Sequence, residues 1–364
     1  MAALLAIVLA FQQAVVAPLT APLTALDARW VLPFDTPPVA PPGFDASTAY
    51  VPLKGGQLVA VDLDRGVVRW RLDVATALTP ATGGGLVFTT SDTTIEARDA
   101  QTGARIWSAA LPGGAAAPLY WDTGWLLAST SSGDLAAFRA ADGTLVWRQP
   151  LGAPLSTAPA PALDRLYLPL ADGRLVAVAL ATGETIWSQR VSGRITSLVG
   201  LDDQLVFGTT EKYVVSVDLL RGRERWKWRV GGDVAGLPAA DDKRIYFASR
   251  DNVLRAVDRN SGNLRWKAML SSRPASGPLS LPNAVMVPLG SSEIGAFEPT
   301  TGKPLTPIKA AGELGSQPFI RTTARLTSPR LIAVSRDGQL QAFGLRFEPP
   351  FVQLDVLPGA PAVP

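Results

Sequence analysis

Three stretches of this 364-residue chain have spacings that chemistry uses. Gly231 to Gly236 has the glycine interval that opens a phosphate-binding loop, but Leu237-Pro238 stand where lysine and serine or threonine must meet phosphate and magnesium. Asp62-x-Asp64 beside Gly66 has the start of a calcium loop without its other oxygen ligands or the distal bidentate glutamate. Gly83-Gly84-Gly85 has no helix after it to complete a nucleotide fingerprint, and is read as lying in the connection into an outer strand. Carboxylates recur at Asp62, Asp99, Asp218, Asp258 and Glu298, always just before a glycine-containing turn. At one position of a recurring segment they read as turn caps that accept backbone N–H groups, not as catalytic acids. Arg139, Ala179 and Gly344 take the same place in other copies, so the cap is dispensable. The chain has no histidine and no cysteine. That excludes Ser-His-Asp and Cys-His catalysis, disulfides, zinc-thiolate sites and a lipid-modified cysteine. The expectation is therefore no catalytic residue, no cofactor and no metal site.

The elements that carry these residues form a repeat. Gly66, Gly103, Gly143, Gly183, Gly222, Gly262 and Gly302 follow one another at 37 to 40 residues. Four positions after each stand Trp70, Trp107, Trp147, Trp187, Trp226 and Trp266, and then Thr306, which breaks the series. Proline opens each unit's first strand at Pro42, Pro80, Pro118, Pro159, Pro238, Pro278 and Pro318, with Val199 in the remaining unit. Tight turns such as Asp172-Gly173 and Asp337-Gly338 then join an apolar second strand to an apolar third. Leu58-Val59-Ala60-Val61 is apolar on both faces, so both faces are covered. The tryptophan strand closes the unit with basic flanks, for instance Arg69 and Arg71. That pattern belongs to an outer edge strand with tryptophan turned inward as core and cations turned outward. Trp30 has the same spacing ahead of Trp70 but no hairpin before it, while the hairpin from Leu331 to Gly344 has no tryptophan strand after it. These two halves make one unit. The expected fold is all-β: an eight-bladed β-propeller of four-stranded antiparallel blades, closed by the N-terminal strand pairing into the last blade.

Residues 1–25 read as an apolar, signal-like targeting segment and spacer, 26–347 as a single propeller, and 348–364 as a proline-rich tail. The apolar run is too short to span a membrane. Lysine and arginine number 34 against 31 acidic residues, a net +3 that is no nucleic-acid footprint. With 47% hydrophobic and 18% charged residues the chain is a folded, apolar-rich protein.

Ala97-x-Asp99-x-x-Thr102-Gly103-x-x-x-Trp107, with its period and four strands per unit, resembles the repeat of the pyrroloquinoline-quinone (PQQ) type β-propeller family over residues 28 to about 345. One branch of that family comprises quinoprotein alcohol dehydrogenases, which bind the quinone with calcium and carry a vicinal cysteine pair; this chain has no cysteine. In length and blade number it is similar to the other branch, typified by the eight-bladed periplasmic lipoprotein of the outer-membrane β-barrel assembly machinery. The Asp-x-Asp loop by which that branch engages its β-barrel partner is not found here. The resemblance implies an exported, periplasmic or envelope protein: a non-enzymatic, monomeric scaffold for protein or peptide partners, outer-membrane assembly components among them, with no nucleic-acid partner and no membrane span. A quinone-dependent dehydrogenase and a sensor propeller are the alternatives. Binding residues concentrate on variable loops held by a rigid scaffold. The blade-to-blade links vary most, so Arg194, Asp233, Arg273 and Glu313 are expected to rim the channel mouth and meet the partner.

Overall fold

The computed structural model describes residues 26–74, 76–316, 319–321 and 330–345. The targeting segment, Pro318, residues 322–329 and the tail lie outside the described residues. Eight sheets of four antiparallel strands make up the fold, and no helix occurs among the described residues. The first strand of the chain, β1 (Leu26–Pro33), belongs to the last blade. Blade 1 then runs through β2 (Gly43–Phe44), β3 (Thr48–Leu53), β4 (Gln57–Asp62) and β5 (Val67–Asp73), ordered in space as in sequence. Blades 2 to 7 repeat this order. In blade 8, Phe319–Arg321, Arg330–Val334 and Gln339–Leu345 supply three strands and β1 pairs outside them, from Leu26↔Leu345 to Pro33↔Gln339. The expected closure is present.

First strands of neighbouring blades touch one another, which places them around the channel. The second and third strands are buried on both faces because each blade packs flat against the next. No single central core exists. Eight apolar clusters occupy the eight joints between blades, from Tyr50, Leu58 and Val87 between blades 1 and 2 to Val51, Val59 and Ile332 between blades 1 and 8.

The outer strand is offset by a bulge at a constant place. Ala60 pairs with Trp70 but Val61 pairs with Val68, leaving Arg69 as the extra residue, and five further blades repeat the shift. A bulge adds local twist. Here it turns the tryptophan onto the neighbouring blade. The indole of Trp226 lies against Gly262, Trp266 against Gly302, and Trp30 against Gly66 across the closing joint. Each glycine has positive φ, so one residue satisfies the turn and leaves room for the ring. The indole N–H groups of Trp70, Trp107, Trp187, Trp226 and Trp266 donate to the carbonyls of Ala100, Ala140, Leu219, Arg259 and Pro299 on the following blade, at 2.8–3.2 Å. The ring of Trp147 docks on Gly183, but its buried Nε1 has no partner. Only Trp226 and Trp266 are buried; Trp30, Trp70, Trp107, Trp147 and Trp187 are half-buried, so these side chains act as clasps between blades more than as interior filling. Unit 7, with Thr306, keeps only a short outer strand, Ile308–Lys309.

Candidate functional site

The face that carries the second-to-third-strand turns also carries the links between blades, and backbone hydrogen bonds tie the two together. The N–H groups of Leu111, Leu151, Val191, Val230, Leu270 and Ala310, each just past an outer strand, donate to the turn carbonyls of Thr93, Gly133, Gly173, Lys212, Asn252 and Ser292 at 2.7–2.9 Å. Variable link residues are thereby fixed on a rigid support.

Arg194, Asp233, Arg273 and Glu313 occupy one equivalent position in four consecutive blades, 5 to 8, each at the entry to the first strand. Their carbonyls accept the N–H groups of Thr210, Arg250, Gly290 and Arg336 at 2.7–2.9 Å. Pro37, Gly114 and Pro154 hold the same place in blades 1, 3 and 4, bonded to Lys54, Ser131 and Ala171. Charge at this position is therefore confined to one half of the ring. Arg194, Asp233 and Arg273 are exposed and have no ion-pair partner among the described residues, whereas Glu313 pairs with Arg336 at 3.2 Å. At the entry to the first strands of four consecutive blades the charges alternate in sign: Arg194, Asp233, Arg273, Glu313.

Beside Asp233 the backbone is locked by Asp251. Its carboxylate accepts from the Gly231 N–H at 3.1 Å, the Ser249 hydroxyl at 2.6 Å and the Arg255 guanidinium at 2.7 Å. Burial pushes this carboxyl up, but the Arg255 and Ser249 hydrogen bonds outweigh it and hold the pKa at about 2. The glycine run Gly231 to Gly236 is this link, and Gly232 packs on the backbone of Arg250 and Asp251, a close approach that only glycine allows.

On the opposite half of the same face lies a feature that the sequence reading missed, an open groove of about 510 Å³ across blades 1 to 3. Val39, Gly55, Gly56, Thr76, Gly113 and Gly114 are among its lining residues, and Asp92 is its one ionisable group. Small side chains leave peptide groups accessible along it. The doubled glycines at a turn and at a link were the available signal. The face thus has a half whose links carry charge and a backbone-rich half whose groove carries the single carboxylate of Asp92.

The repeated carboxylates sit on the opposite face and do what caps do. Asp62, Asp99 and Asp258 accept N–H groups two and three residues ahead, and Asp218 those of Arg221 and Arg223. Burial raises the Asp62 pKa, but the Arg69 hydrogen bond outweighs it and leaves the carboxyl below its usual value. Gly83 ends the inner strand of blade 2 against the ring of Trp121, so Gly83 to Gly85 is a turn between first and second strands, not a connection into an outer strand. Among the described residues no group of three or more Asp, Glu, His or Cys is placed to hold a metal ion.

Comparison with known proteins gives one family and one fold. The sequence matches the family described as outer membrane protein assembly factor BamB over residues 23–119, 91–227 and 171–346. The relative of that name from Bordetella pertussis is 30% identical over 200 residues, covering 50% of this chain and 51% of its own. The match thus spans about half the length of the curated relatives. The crystal structure of BamB from Moraxella catarrhalis superposes with a TM-score of 0.67 at 17% identity, covering 87% of this chain and 99% of that one. A quinohemoprotein alcohol dehydrogenase from Pseudomonas putida superposes with a TM-score of 0.74 at 13% identity, covering 94% and 79%. Identities this low speak for the propeller alone.

Proposed function

The chain belongs to the family described as outer membrane protein assembly factor BamB, and from that premise we propose that it is a non-enzymatic scaffold in the cell envelope that helps assemble outer-membrane proteins. The observation that carries the reading is the divided face of turns and links. Arg194, Asp233, Arg273 and Glu313 project from equivalent, hydrogen-bonded backbone positions, so a partner meets charges whose spacing is fixed before contact. Preorganised charges of alternating sign select orientation and register more than they add raw affinity. The groove across blades 1 to 3, with Asp92 its one ionisable group, offers peptide groups and small apolar contacts to an extended segment of the same partner. The chemistry asked of the site is recognition, with no bond made or broken.

Photo-crosslinking tests this. A photoreactive residue at position 194 or 273, in envelopes of the source cell, should trap a component of the outer-membrane assembly machinery. The pair Arg194→Glu and Arg273→Glu should weaken that capture by about tenfold or more, as reversal of contacting charges does. Both lie on exposed links, so the melting temperature should hardly move. Adducts confined to unrelated soluble proteins, or undiminished capture by the double variant, would remove this face as the partner site.

A further inference from the structure

The perimeter of the ring is electrostatically uneven. In the outer strands of blades 1 to 3 every cation has a carboxylate against it: Arg69 with Asp62, Arg71 with Asp35, Arg105 with Glu96, and Arg148 with Asp134. From blade 4 to blade 6 this neutralisation fails. Arg225 and Arg265 pair with Asp203 and Asp258, but Arg190, Lys227, Arg229 and Lys267 have no carboxylate within ion-pair distance among the described residues; Arg221 and Arg223, in the turn before the blade-5 strand, have none either, as is also true of Arg65 in the matching turn of blade 1. Within the outer strands Thr185–Arg190, Glu224–Arg229 and Leu264–Met269 the one carboxylate is Glu224. For a chain of net +3, that is a concentrated positive arc.

Two further features say what covers it. Large apolar side chains stand among these cations, Met269 72% exposed, Leu220 61% and Leu264 42%; the outer strands of blades 1 to 3 also expose such residues, Ile106 and Leu145 among them, but beside paired charges. Between blades 4 and 5 the arc opens into a cleft of about 320 Å³, lined by Arg190, Arg223 and Lys227 with the single carboxylate of Glu224 beside them, and by the buried side chains of Phe207, Val215 and Val217. Lys227 is held there, 4.0 Å over the ring of Tyr213 and 3.3 Å from the Ser192 hydroxyl. Cations above an apolar floor match an amphiphile, an acidic head joined to an apolar body. A cleft this small admits a headgroup and not a folded partner, and the convex edge around it suits a flat surface.

We propose that the perimeter of blades 4 to 6 is a docking surface for an anionic phospholipid bilayer, with the cleft between blades 4 and 5 receiving a headgroup phosphate. Basic residues are drawn to such a surface within about a Debye length of it, ~8 Å at physiological salt. Protruding Met269 and Leu264 then enter the boundary between headgroups and acyl chains. Lying on the edge of the ring, this contact leaves the face of turns and links open, and it does not depend on the assembly role.

Flotation of the full chain with vesicles decides it. Vesicles of phosphatidylcholine with phosphatidylglycerol should retain the protein at low salt and release it at high salt, while phosphatidylcholine alone should not retain it. Arg223→Glu, Lys227→Glu and Arg229→Glu together should cut the retained fraction by roughly tenfold. The triple Arg71→Glu, Arg105→Glu and Arg148→Glu makes the same change in net charge on the neutralised side, and should leave retention within about twofold, as remote exposed charges do. Circular dichroism of both variants checks that the ring is intact. Equal retention on the two vesicle types, or equal loss in the two triples, would overturn the proposal. So would binding to soluble polyglutamate with none to vesicles, which would mark the arc as a site for acidic protein instead.

Discussion

Replacing Gly262 by alanine isolates the contact that joins one blade to the next. The substitution carries two separable costs. Gly262 has φ +71°, and an alanine held in that left-handed conformation loses about 1–2 kcal/mol. Its Cβ would also stand 2.5 Å from Cγ and 2.7 Å from Cβ of Trp226, far inside contact distance. Trp226 cannot swing away freely, because it is buried and its indole N–H donates to the Arg259 carbonyl at 3.2 Å. Overpacking of this kind costs about 1–3 kcal/mol more, for a total of about 2–5 kcal/mol. Gly85 is the reference: φ is +78°, but a Cβ there meets nothing within 4 Å, so Gly85→Ala carries the conformational cost alone. Urea unfolding midpoints for both variants should differ by the equivalent of about 1–3 kcal/mol. In a Trp226→Ala background the difference should shrink, since the ring that alanine strikes at 2.5 Å is gone while the Cβ at 2.7 Å remains. Equal losses for Gly262→Ala and Gly85→Ala in the wild-type background would refute the docking account.

Deleting residues through 34 should lower the unfolding temperature of the whole ring and broaden its transition, because it strips the outer strand from blade 8 and the clasp of Trp30 on Gly66; scanning calorimetry giving an unchanged transition would contradict this. Asp251 should set part of the acid response. Its folded pKa of about 2 lies below the ordinary aspartate value near 4, so its stabilisation is present above about pH 4 and is lost as pH falls toward 2. Urea midpoints measured down through that window should fall less steeply for Asp251→Asn than for the parent chain, and parallel curves would assign the acid response to other carboxylates.

The number of blades, their strands and the ring closure were legible because each rests on period and turn chemistry. The orphan Trp30 and the unpartnered hairpin at Leu331 to Gly344 can complete only one another. What periodicity could not convey is which copies meet. Gly66 and Trp70 are near neighbours in sequence, yet Gly66 holds Trp30 and Trp70 reaches Gly103. A repeat looks the same whether a residue touches its own unit or the next. Arg194, Asp233, Arg273 and Glu313 were expected from the sequence as variable links, and they share one hydrogen-bonded backbone position in blades 5 to 8. The confinement of charge at that position to half the ring shows only when Pro37, Gly114 and Pro154 are aligned with it by their hydrogen bonds. Nor could the sequence distinguish neutralised cations from bare ones. Asp203 reaches both Arg225 and Arg259, the latter from the following blade, so charge pairing here is a matter of the fold.

The placement of β1 outside the last hairpin has a consequence in time. Leu26 meets Leu345 across almost the whole chain, and closing so long a loop costs about 3 kcal/mol more entropy than closing a short hairpin. Blades 1 to 7 are built from local pairings and can form in any order as chain becomes available. Blade 8 alone must wait for both ends. β1 therefore stays unpaired until the strand Gln339–Leu345 has been made, and the slow step of folding should be the capture of β1 by that strand.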